Sequence, residues 1–371
     1  MSERIAGRLI VDDQVVAGSL TVENELITDV QAGVDGAEDG PYISPGFVDV
    51  HVHGWGGHSA MGDRAALDGM ARALLRRGVT SFLPTAVTAP LATLGEFAEQ
   101  VRSWTPYAPD DGAEPLGFNL EGPFLAPARR GAHDPAYLST PADVAREDLA
   151  PLLESLRVIT IAPELPGALE LIAWLDSAGV RVSVGHSAAT FEIGRAAYAA
   201  GATTTTHIFN AMSGVDHRAP GVALAALLDD RVYTELIADR IHVDPTLWPL
   251  ITRLKPVARL ILVSDAIPLA GTGDGRGRLG SLDIEIAGER VTLAGTQTLA
   301  GSVLALDKAV RNMVGAGLAL PAAVAAATRN PLEMLGVNDR GRLAPGQRAD
   351  LVEMDADLQV RRVMRAGEWL A

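Results

Sequence analysis

The sequence predicts an α/β protein, a (β/α)8 barrel of the TIM type joined to a small β-sandwich domain that both chain termini form. Three observations predict this fold class. From residue 46 onward, short β-rich runs alternate with helical patterns eight times. Near both ends of the chain, short alternating strands follow one another with no helix between them. Histidine and acidic side chains also stand where several of the β-rich runs end.

Eight runs of β-branched and aromatic residues are the candidate barrel strands. In chain order they are FVDVHV (47–52), VTSFLP (79–84), LGFNL (116–120), RVITIAP (157–163), VRVSVG (180–185), TTTTHIF (203–209), VYTELIA (232–238) and RLILVS (259–264). Between them lie stretches with helical spacing of apolar residues, such as ALDGMARALLRRG (66–78), ALELIAWLDSAG (168–179) and DPTLWPLITRL (244–254). Strands and helices in this order favour a parallel barrel surrounded by helices.

The pattern divides the chain into two predicted domains. Residues 1–44 and 337–371 read as strands of one small β-domain, and residues 45–336 read as the barrel. A β-like insert around 277–300 separates the eighth strand from its helix.

Composition restricts the class of partner. The 371 residues are 48% hydrophobic, which is enough to fill a sizeable core. The net charge of −15, with no lysine or arginine run longer than two, argues against nucleic acid and anionic membranes but leaves a small anionic ligand open. The sequence shows no membrane-spanning stretch and no secretory leader, so we expect a cytoplasmic protein. Because the chain has no cysteine, any metal ion must be bound by His, Asp or Glu.

Six polar residues stand at the carboxyl ends of predicted strands. They are His51 and His53 on the first run, Glu121 on the third, His186 on the fifth, His207 on the sixth and Asp265 on the eighth. A single histidine at a strand end is more often a structural residue than a metal ligand, and an HxH pair alone is weak evidence for a metal site. In a barrel, however, these ends meet at the rim where active sites form. The shared rim therefore predicts a site for a divalent metal, with zinc first and iron, manganese or cobalt as alternatives.

Five further residues are candidates for substrate binding. His133 follows the third strand, and an ordinary loop histidine is an equally good interpretation of it. The backbone amides of Asn210 and Ala211, with Arg218 nearby, could bind an anion, although the segment could also be a plain polar loop. His242 closes the seventh strand, where it could bind a ligand or cap a turn.

Eight segments in this order resemble one known family. PGFVDVHVHG, NLEGPF, RRGAH, VGHS, THIFNAM, HRAPG, ADRIHV and VSDA look like the N-acetylglucosamine-6-phosphate deacetylase family of the amidohydrolase superfamily. The resemblance covers nearly the whole chain, and the THxFNAM and LEGPF elements are specific to this family. ADRIHV departs from the pattern, because Arg240 stands where we expect glycine, so the local backbone could differ there.

The resemblance implies a role for each candidate residue. Glu121, His186 and His207 would bind the principal metal ion, and Asp265 would be the catalytic acid and base. His51 and His53, which some members lack, would hold a second ion bridged by Glu121. The remaining five would bind a phosphorylated amino sugar. The backbone amides of Asn210 and Ala211 would bind its phosphate, and Arg218 and His242 would reach across from the other subunit of a homodimer. His133 would contact the sugar or the acetyl group.

The expected reaction is hydrolysis of the acetamide of N-acetyl-D-glucosamine 6-phosphate, giving acetate and D-glucosamine 6-phosphate. A metal ion would make water nucleophilic near neutral pH, and Asp265 would pass its proton to the leaving nitrogen. Two different functions stay open. A cyclic-amide hydrolase or a deaminase commonly bridges its metals with a carboxylated lysine, whereas Lys255 and Lys308 fall in helical stretches here. A metal-free scaffold is disfavoured, because a scaffold has no physical need for the ligand set.

Overall fold

The computed structural model describes residues 2–371 and confirms the predicted fold class. Its strands are β1 (Ser2–Val11), β2 (Gln14–Glu23), β3 (Leu26–Ala32), β4 (Tyr42–Pro45), β5 (Phe47–Val52), β6 (Gly54–Trp55), β7 (His58–Ser59), β8 (Val79–Val87), β9 (Glu114–Pro115), β10 (Phe118–Glu121), β11 (Leu156–Ile161), β12 (Arg181–Val184), β13 (Ala202–Thr205), β14 (Tyr233–Leu236), β15 (Leu260–Leu262), β16 (Gly275–Leu279), β17 (Leu282–Ala287), β18 (Arg290–Leu293), β19 (Leu351–Met354), β20 (Val360–Arg365) and β21 (Glu368–Trp369). Its α-helices are α1 (Arg64–Leu75), α2 (Leu91–Trp104), α3 (Arg146–Leu149), α4 (Ala168–Ser177), α5 (Phe191–Ala199), α6 (Val222–Leu228), α7 (Trp248–Leu254), α8 (Leu306–Gly315), α9 (Leu320–Ala327) and α10 (Arg329–Leu335). None of these helices combines the length and the hydrophobicity that a membrane span requires.

The barrel consists of eight parallel strands, each hydrogen-bonded to the next, in the order β5, β8, β10, β11, β12, β13, β14 and β15. Every residue of β5 and β8 is buried, as expected for a parallel sheet that is covered on both faces. The surrounding helices pack apolar side chains against the barrel, and α6, α9 and α10 are buried over most of their residues. Helix α1 begins where the Asp63 carboxylate accepts a hydrogen bond from the Ala66 N–H (2.9 Å), and it buries Leu67, Met70 and Leu74.

The barrel closes between its first and last strands through a few hydrogen bonds at the carboxyl end. The Asp265 N–H donates to the His51 carbonyl (2.9 Å), which brings two candidate site residues together. Below it, the Ser264 N–H donates to a carboxylate oxygen of the buried Asp49 (3.3 Å). The seam of the barrel therefore lies directly under the predicted site.

The chain termini together form one seven-stranded sheet in the order β21, β20, β19, β4, β1, β2, β3. β1 and β2 pair antiparallel from Ser2↔Glu23 to Val11↔Gln14, and β19 joins them by pairing with β4. This sheet has a small core of its own, which includes Ile5, Leu9, Leu20, Ile43 and Leu351. The exact domain boundaries at 44/45 and 336/337 stay a prediction.

The insert after the eighth barrel strand forms a three-stranded antiparallel sheet of β16, β17 and β18. The turn between β16 and β17 points at the mouth of the barrel. Ser281 Oγ donates a hydrogen bond to Asp134 Oδ2 (2.7 Å), next to the candidate His133. The insert therefore forms part of the wall around the predicted site.

A partly buried ion-pair network connects the barrel to the segment that leads into the terminal sheet. Glu114 on β9 accepts hydrogen bonds from Arg340 (2.7 Å) and from Arg348. Arg340 also pairs with Asp339 (2.8 Å), and Arg348 pairs with the buried Asp350 (3.0 Å). Burial would raise the pKa of Glu114, but the guanidinium groups of Arg348 and Arg340 outweigh burial and lower the pKa below its usual value.

Replacing Glu114 with glutamine is expected to lower the free energy of unfolding by roughly 1 to 2 kcal/mol at pH 7, because two partly buried guanidinium groups lose their charged partner. Since the folded-state pKa is lowered, the contribution is complete above the unfolded-state pKa of about 4.3 and is lost as the pH falls through the folded value. Urea unfolding of both proteins between pH 7 and pH 3 measures this. Glu154→Gln, which removes a largely exposed partner of Arg102, is the control and should change stability by less than about 0.5 kcal/mol. A Glu114→Gln effect that does not shrink in acid contradicts the assignment.

Candidate metal centre

The structure places all six predicted strand-end residues at the carboxyl rim of the barrel. His51 lies in β5 and His53 directly after it, while Glu121 is the last residue of β10. His186 and His207 lie two residues beyond β12 and β13, and Asp265 lies three beyond β15. All six side chains are buried. They are separated by up to 214 residues in sequence and nevertheless form one cluster.

Glu121 is the centre of the cluster. Its Oε1 lies 2.9 Å from His186 Nε2 and 2.8 Å from His207 Nε2, and these two nitrogens are 3.2 Å apart. Three potential ligand atoms therefore converge within the space of one ion. Two imidazole nitrogens and a carboxylate oxygen suit zinc and other first-row divalent metals.

A second group of ligand atoms shares Glu121. Its Oε2 lies 3.2 Å from His53 Nε2, and Asp265 Oδ1 lies 3.1 Å from the same nitrogen. His51 Nε2 is 3.6 Å from both carboxylates and has no hydrogen-bond partner, although it is fully buried. Burying a ring nitrogen without a hydrogen-bond partner costs folding free energy unless a ligand binds to that nitrogen. These four side chains fit a second divalent ion.

Electrostatics in the cluster are dominated by contacts between carboxylates and imidazoles. Burial alone would lower the pKa of His53, but hydrogen bonds from its ring to Asp265 and Glu121 raise the pKa to about 9. Burial would raise the pKa of Asp265, but His53 and His51 hold it below its usual value. Asp265 is therefore ionised at neutral pH. A metal ion that binds to these imidazoles must displace their protons.

Three of the histidines have a hydrogen-bond acceptor at their second ring nitrogen. His51 Nδ1 lies 3.2 Å from Glu235 Oε2, and His53 Nδ1 lies 3.1 Å from the Thr85 carbonyl. His186 Nδ1 lies 2.9 Å from the Arg129 carbonyl. An acceptor there holds a proton on Nδ1, so Nε2 is the nitrogen that can bind a metal ion once the ion displaces any proton on it, which is the arrangement typical of metal-binding histidines.

The sequence analysis did not identify these acceptors. Two are main-chain carbonyls and leave no signal in a sequence. Glu235 did leave one, because it is an acidic residue inside the apolar run VYTELIA.

The backbone at three candidate ligands has an uncommon conformation. His186 (φ 48°), His207 (φ 25°) and Asp265 (φ 50°) all have positive φ, in or near the left-handed region that favours glycine. Such residues cost of order 1–3 kcal/mol each and tend to occur at functional sites.

His133 lies beside the cluster with its ring fixed by the main chain. The Thr88 N–H donates to His133 Nδ1 (3.3 Å), so the ring proton must be on Nε2, which lies 3.2 Å from Glu121 Oε2. Burial lowers the pKa of His133 to about 4, so the ring is neutral. A neutral ring that carries its proton on Nε2 is a hydrogen-bond donor to the site rather than a metal ligand.

A cavity of about 340 Å³ opens from the cluster. It is lined by the metal-ligand candidates His53, Glu121, His186, His207 and Asp265, by the substrate candidates His133, Asn210, Ala211 and His242, and by apolar residues that include Leu279 and Leu299 of the insert region. The volume suits a small polar molecule with a few fixed polar contacts.

The segment HIFNAM forms a candidate anion site at one side of the cavity. His207, Phe209 (φ 75°) and Ala211 (φ 48°) have positive φ, whereas the residues between them do not. Such an alternation can form a concavity that binds anions through main-chain N–H groups, but here the His207 and Ile208 N–H groups both donate to Glu235. The Asn210 N–H is already bonded to the His207 carbonyl (3.1 Å), so of the two amides predicted to bind phosphate, only that of Ala211 lacks an acceptor among the described residues.

The last two substrate candidates lie in different surroundings. His242 lines the cavity of its own chain, where Asp239 Oδ2 lies 2.7 Å from its Nδ1. Arg218 lies in an exposed loop and is not part of the cavity wall. Arg240, the departure from the family pattern, has φ 70°, so its backbone keeps a conformation typical of glycine.

Comparisons with known proteins agree on one family. The profile of the amidohydrolase family matches residues 42–370. N-acetylgalactosamine-6-phosphate deacetylase of Escherichia coli O157:H7 is 41% identical over 339 residues, 89% of this chain and 88% of the relative. N-acetylglucosamine-6-phosphate deacetylase of Bos taurus is 38% identical over 384 aligned positions, 98% of this chain and 92% of the relative. An aspartate-to-alanine variant of the Mycobacterium smegmatis N-acetyl-D-glucosamine-6-phosphate deacetylase, solved with N-acetyl-D-glucosamine 6-phosphate, superposes with a TM-score of 0.90 at 37% identity and covers 100% of this chain and 99% of its own.

Proposed function

The chain belongs to the amidohydrolase family, and from that membership we propose that it hydrolyses the acetamide of N-acetyl-D-glucosamine 6-phosphate to acetate and D-glucosamine 6-phosphate. The resemblance found in its motifs is confirmed. The observation that carries the proposal is the convergence of Glu121, His186, His207 and Asp265 beside a cavity that Ala211 also lines. Amide hydrolysis needs a strong nucleophile and a proton for the leaving amine, and this site can provide both.

The cofactor is a divalent metal, and we propose two zinc ions for each chain. Glu121, His186 and His207 would hold the principal ion, and His51 and His53 the second, with Glu121 between the two. Charge balance supports two ions. Asp49, Glu121, Glu235 and Asp265 are buried together, and no lysine or arginine in residues 2–371 forms an ion pair with any of them. Two divalent cations bound at the neighbouring imidazoles would offset the negative charge of this buried group.

The reaction can be derived from the residues around the cavity. When bound, the metal supplies Lewis acidity for the acetyl carbonyl and for ionisation of the attacking water. Asp265 accepts the proton of that water at its carboxylate and gives it to the nitrogen of the departing glucosamine. His133 Nε2–H donates to the acetyl oxygen as negative charge develops there.

Binding of the sugar phosphate takes place away from the bond that breaks. Ala211 and His242 both line the cavity of their own chain, so we propose that the Ala211 N–H and His242 contact the phosphate from there; this replaces the expectation that His242 reaches across from the other subunit. Because Arg218 projects from an exposed loop, we propose that it reaches the phosphate in the neighbouring subunit of a homodimer. A cytoplasmic location belongs to the same proposal, since a charged sugar phosphate does not cross a bilayer unaided.

Arg218→Ala is expected to raise KM for the phosphorylated sugar about 10- to 100-fold and to change kcat by less than about threefold. A charge-assisted contact to a phosphate supplies binding and orientation but does not strengthen in the transition state. Steady-state acetate release measures both constants. Arg231→Ala, which removes an exposed arginine paired with Asp229, is the matched control. A loss of kcat as large as the rise in KM contradicts the role given to Arg218.

Acetate release by the purified protein tests the activity itself. The substrates to compare are N-acetylglucosamine 6-phosphate, its unphosphorylated form and N-acetylgalactosamine 6-phosphate, each with and without chelator. The galactosamine epimer is the second candidate substrate, because the E. coli relative is named for it. Activity that requires both metal and phosphate supports the proposal. If neither phosphorylated sugar releases acetate, the proposal is overturned.

A carboxylated-lysine hydrolase and a metal-free scaffold both fit the structure poorly. Lys255 follows α7 and Lys308 lies in α8, so neither stands on a barrel strand where a carboxylated lysine could bridge two ions. A metal-free scaffold would not need the buried, unpartnered ring nitrogen of His51.

A further inference from the structure

We infer that Glu235 is a positioning residue for the second metal ion and that it acts through the ring of His51. The inference rests on the proposed function, since it requires the metal site described above. It adds a residue that neither the motifs nor the resemblance indicated.

The contacts of Glu235 are the first argument. Its Oε2 lies 3.2 Å from His51 Nδ1, and both side chains are fully buried. The pair fixes the ring with Nδ1–H toward Glu235 and Nε2 toward Glu121 and Asp265. A carboxylate behind a metal-binding imidazole also raises the basicity of the nitrogen that faces the ion.

The position of Glu235 in the fold is the second argument. It lies in the middle of β14, in a barrel interior that usually contains branched apolar residues. Its Oε1 has no hydrogen-bond partner in residues 2–371, and no lysine or arginine neutralises the side chain. A buried carboxylate with so few partners is a net cost to folding, so stability does not explain it. A divalent ion bound on the far side of the His51 ring would explain why a carboxylate is kept there.

Glu235 also contacts the ligand segment of the principal ion. Its Oε2 accepts a hydrogen bond from the His207 N–H (3.3 Å), and its main-chain carbonyl accepts one from the Ile208 N–H (2.8 Å). The contact to His207 is with the main chain, whereas the contact to His51 is with the ring. Loss of the carboxylate charge should therefore affect the ion bound by His51 much more than the ion bound by His207.

Glu235→Gln tests the inference, because glutamine keeps the size of the side chain and removes its charge. We expect the affinity for the second zinc ion to fall roughly 10- to 100-fold, while the principal ion stays bound. The measurements are zinc content by mass spectrometry after dialysis and zinc titration against a competing chelator. Asp307→Asn is the matched control, because Asp307 is equally buried but pairs with Arg77 and Arg311 and touches no imidazole. This control should keep two ions even if its unfolding temperature falls.

The double variant with His51→Ala separates positioning from a structural role. In the His51→Ala background, Glu235→Gln should change neither the affinity for the principal ion nor kcat, because the ring through which it acts is gone. A further loss of either in that background shows that Glu235 acts through His207 and overturns the inference. Loss of both ions from Glu235→Gln, or retention of both at wild-type affinity, overturns it too, as does a wild-type protein that binds only one ion. Acetate release by the wild-type protein reports on the proposed function separately.

Discussion

Replacing Asp265 with asparagine is expected to lower kcat for the phosphorylated substrate by about 10³- to 10⁴-fold. Asparagine keeps the shape of the side chain but can neither accept the proton of the attacking water nor deliver one to the leaving nitrogen. General acid–base catalysis contributes roughly 10²- to 10⁴-fold for one proton transfer, and here one residue serves both transfers. Because Asp265 has a lowered pKa next to His53 and His51, it is ionised and ready to act as a base at neutral pH.

The measurement is kcat from acetate release, together with the metal content of the variant. The principal ion should remain, because its proposed ligands Glu121, His186 and His207 are unchanged. Asp244→Asn makes the same chemical change at an exposed turn, where the Asp244 carboxylate accepts hydrogen bonds from the N–H and the hydroxyl of Thr246, and should leave kcat within about twofold. If Asp265→Asn keeps its metal and loses less than tenfold in kcat, another group carries the proton.

Glu121→Gln should remove both metal ions and lower kcat/KM by at least about 10³-fold. The Glu121 carboxylate lies within 3.6 Å of the four imidazoles of the cluster, those of His51, His53, His186 and His207, and of the neighbouring imidazole of His133. A neutral amide has one acceptor oxygen and cannot bridge two cations. Loss of several kcal/mol of Lewis-acid stabilisation corresponds to a decrease of this size.

Zinc content and acetate release should be compared with those of His51→Ala, which is expected to lose the second ion only. The comparison shows whether the loss of activity is larger when both ions are removed than when only the second is. Thermal unfolding without metal provides a fold control: Glu121→Gln should unfold cooperatively but at a lower temperature than the metal-free wild type, because the imidazoles around Glu121 lose their charged partner. A Glu121→Gln protein that still binds two ions contradicts the bridging role.

The sequence predicts which residues meet at the rim because that result depends on periodicity alone. Side chains two apart on a strand share a face, and carboxyl ends of parallel strands share an edge. His51, Glu121 and Asp265 could be located in this way without any distance information. The resemblance then gave each of them a role, which no spacing argument could provide.

The details that the sequence does not show are matters of local backbone geometry. The run TTTTHIF was predicted as strand through residue 209, but β13 ends at Thr205 because the chain turns at His207. That same turn uses the Asn210 N–H internally, so the prediction of two free amides could not be refined from residue types. The predicted helix at 244–254 likewise starts only at Trp248, after a short turn capped by Asp244.

The positive φ angles at His186, His207 and Asp265 bear on how this protein could change over time. Glycine would adopt each of these angles without strain and would leave no imidazole or carboxylate behind. Selection for heat resistance alone would therefore favour glycine at the very positions that hold the reactive groups. A screen for thermal stability would need a parallel screen for catalytic turnover, because otherwise it would enrich thermostable variants that are catalytically inactive.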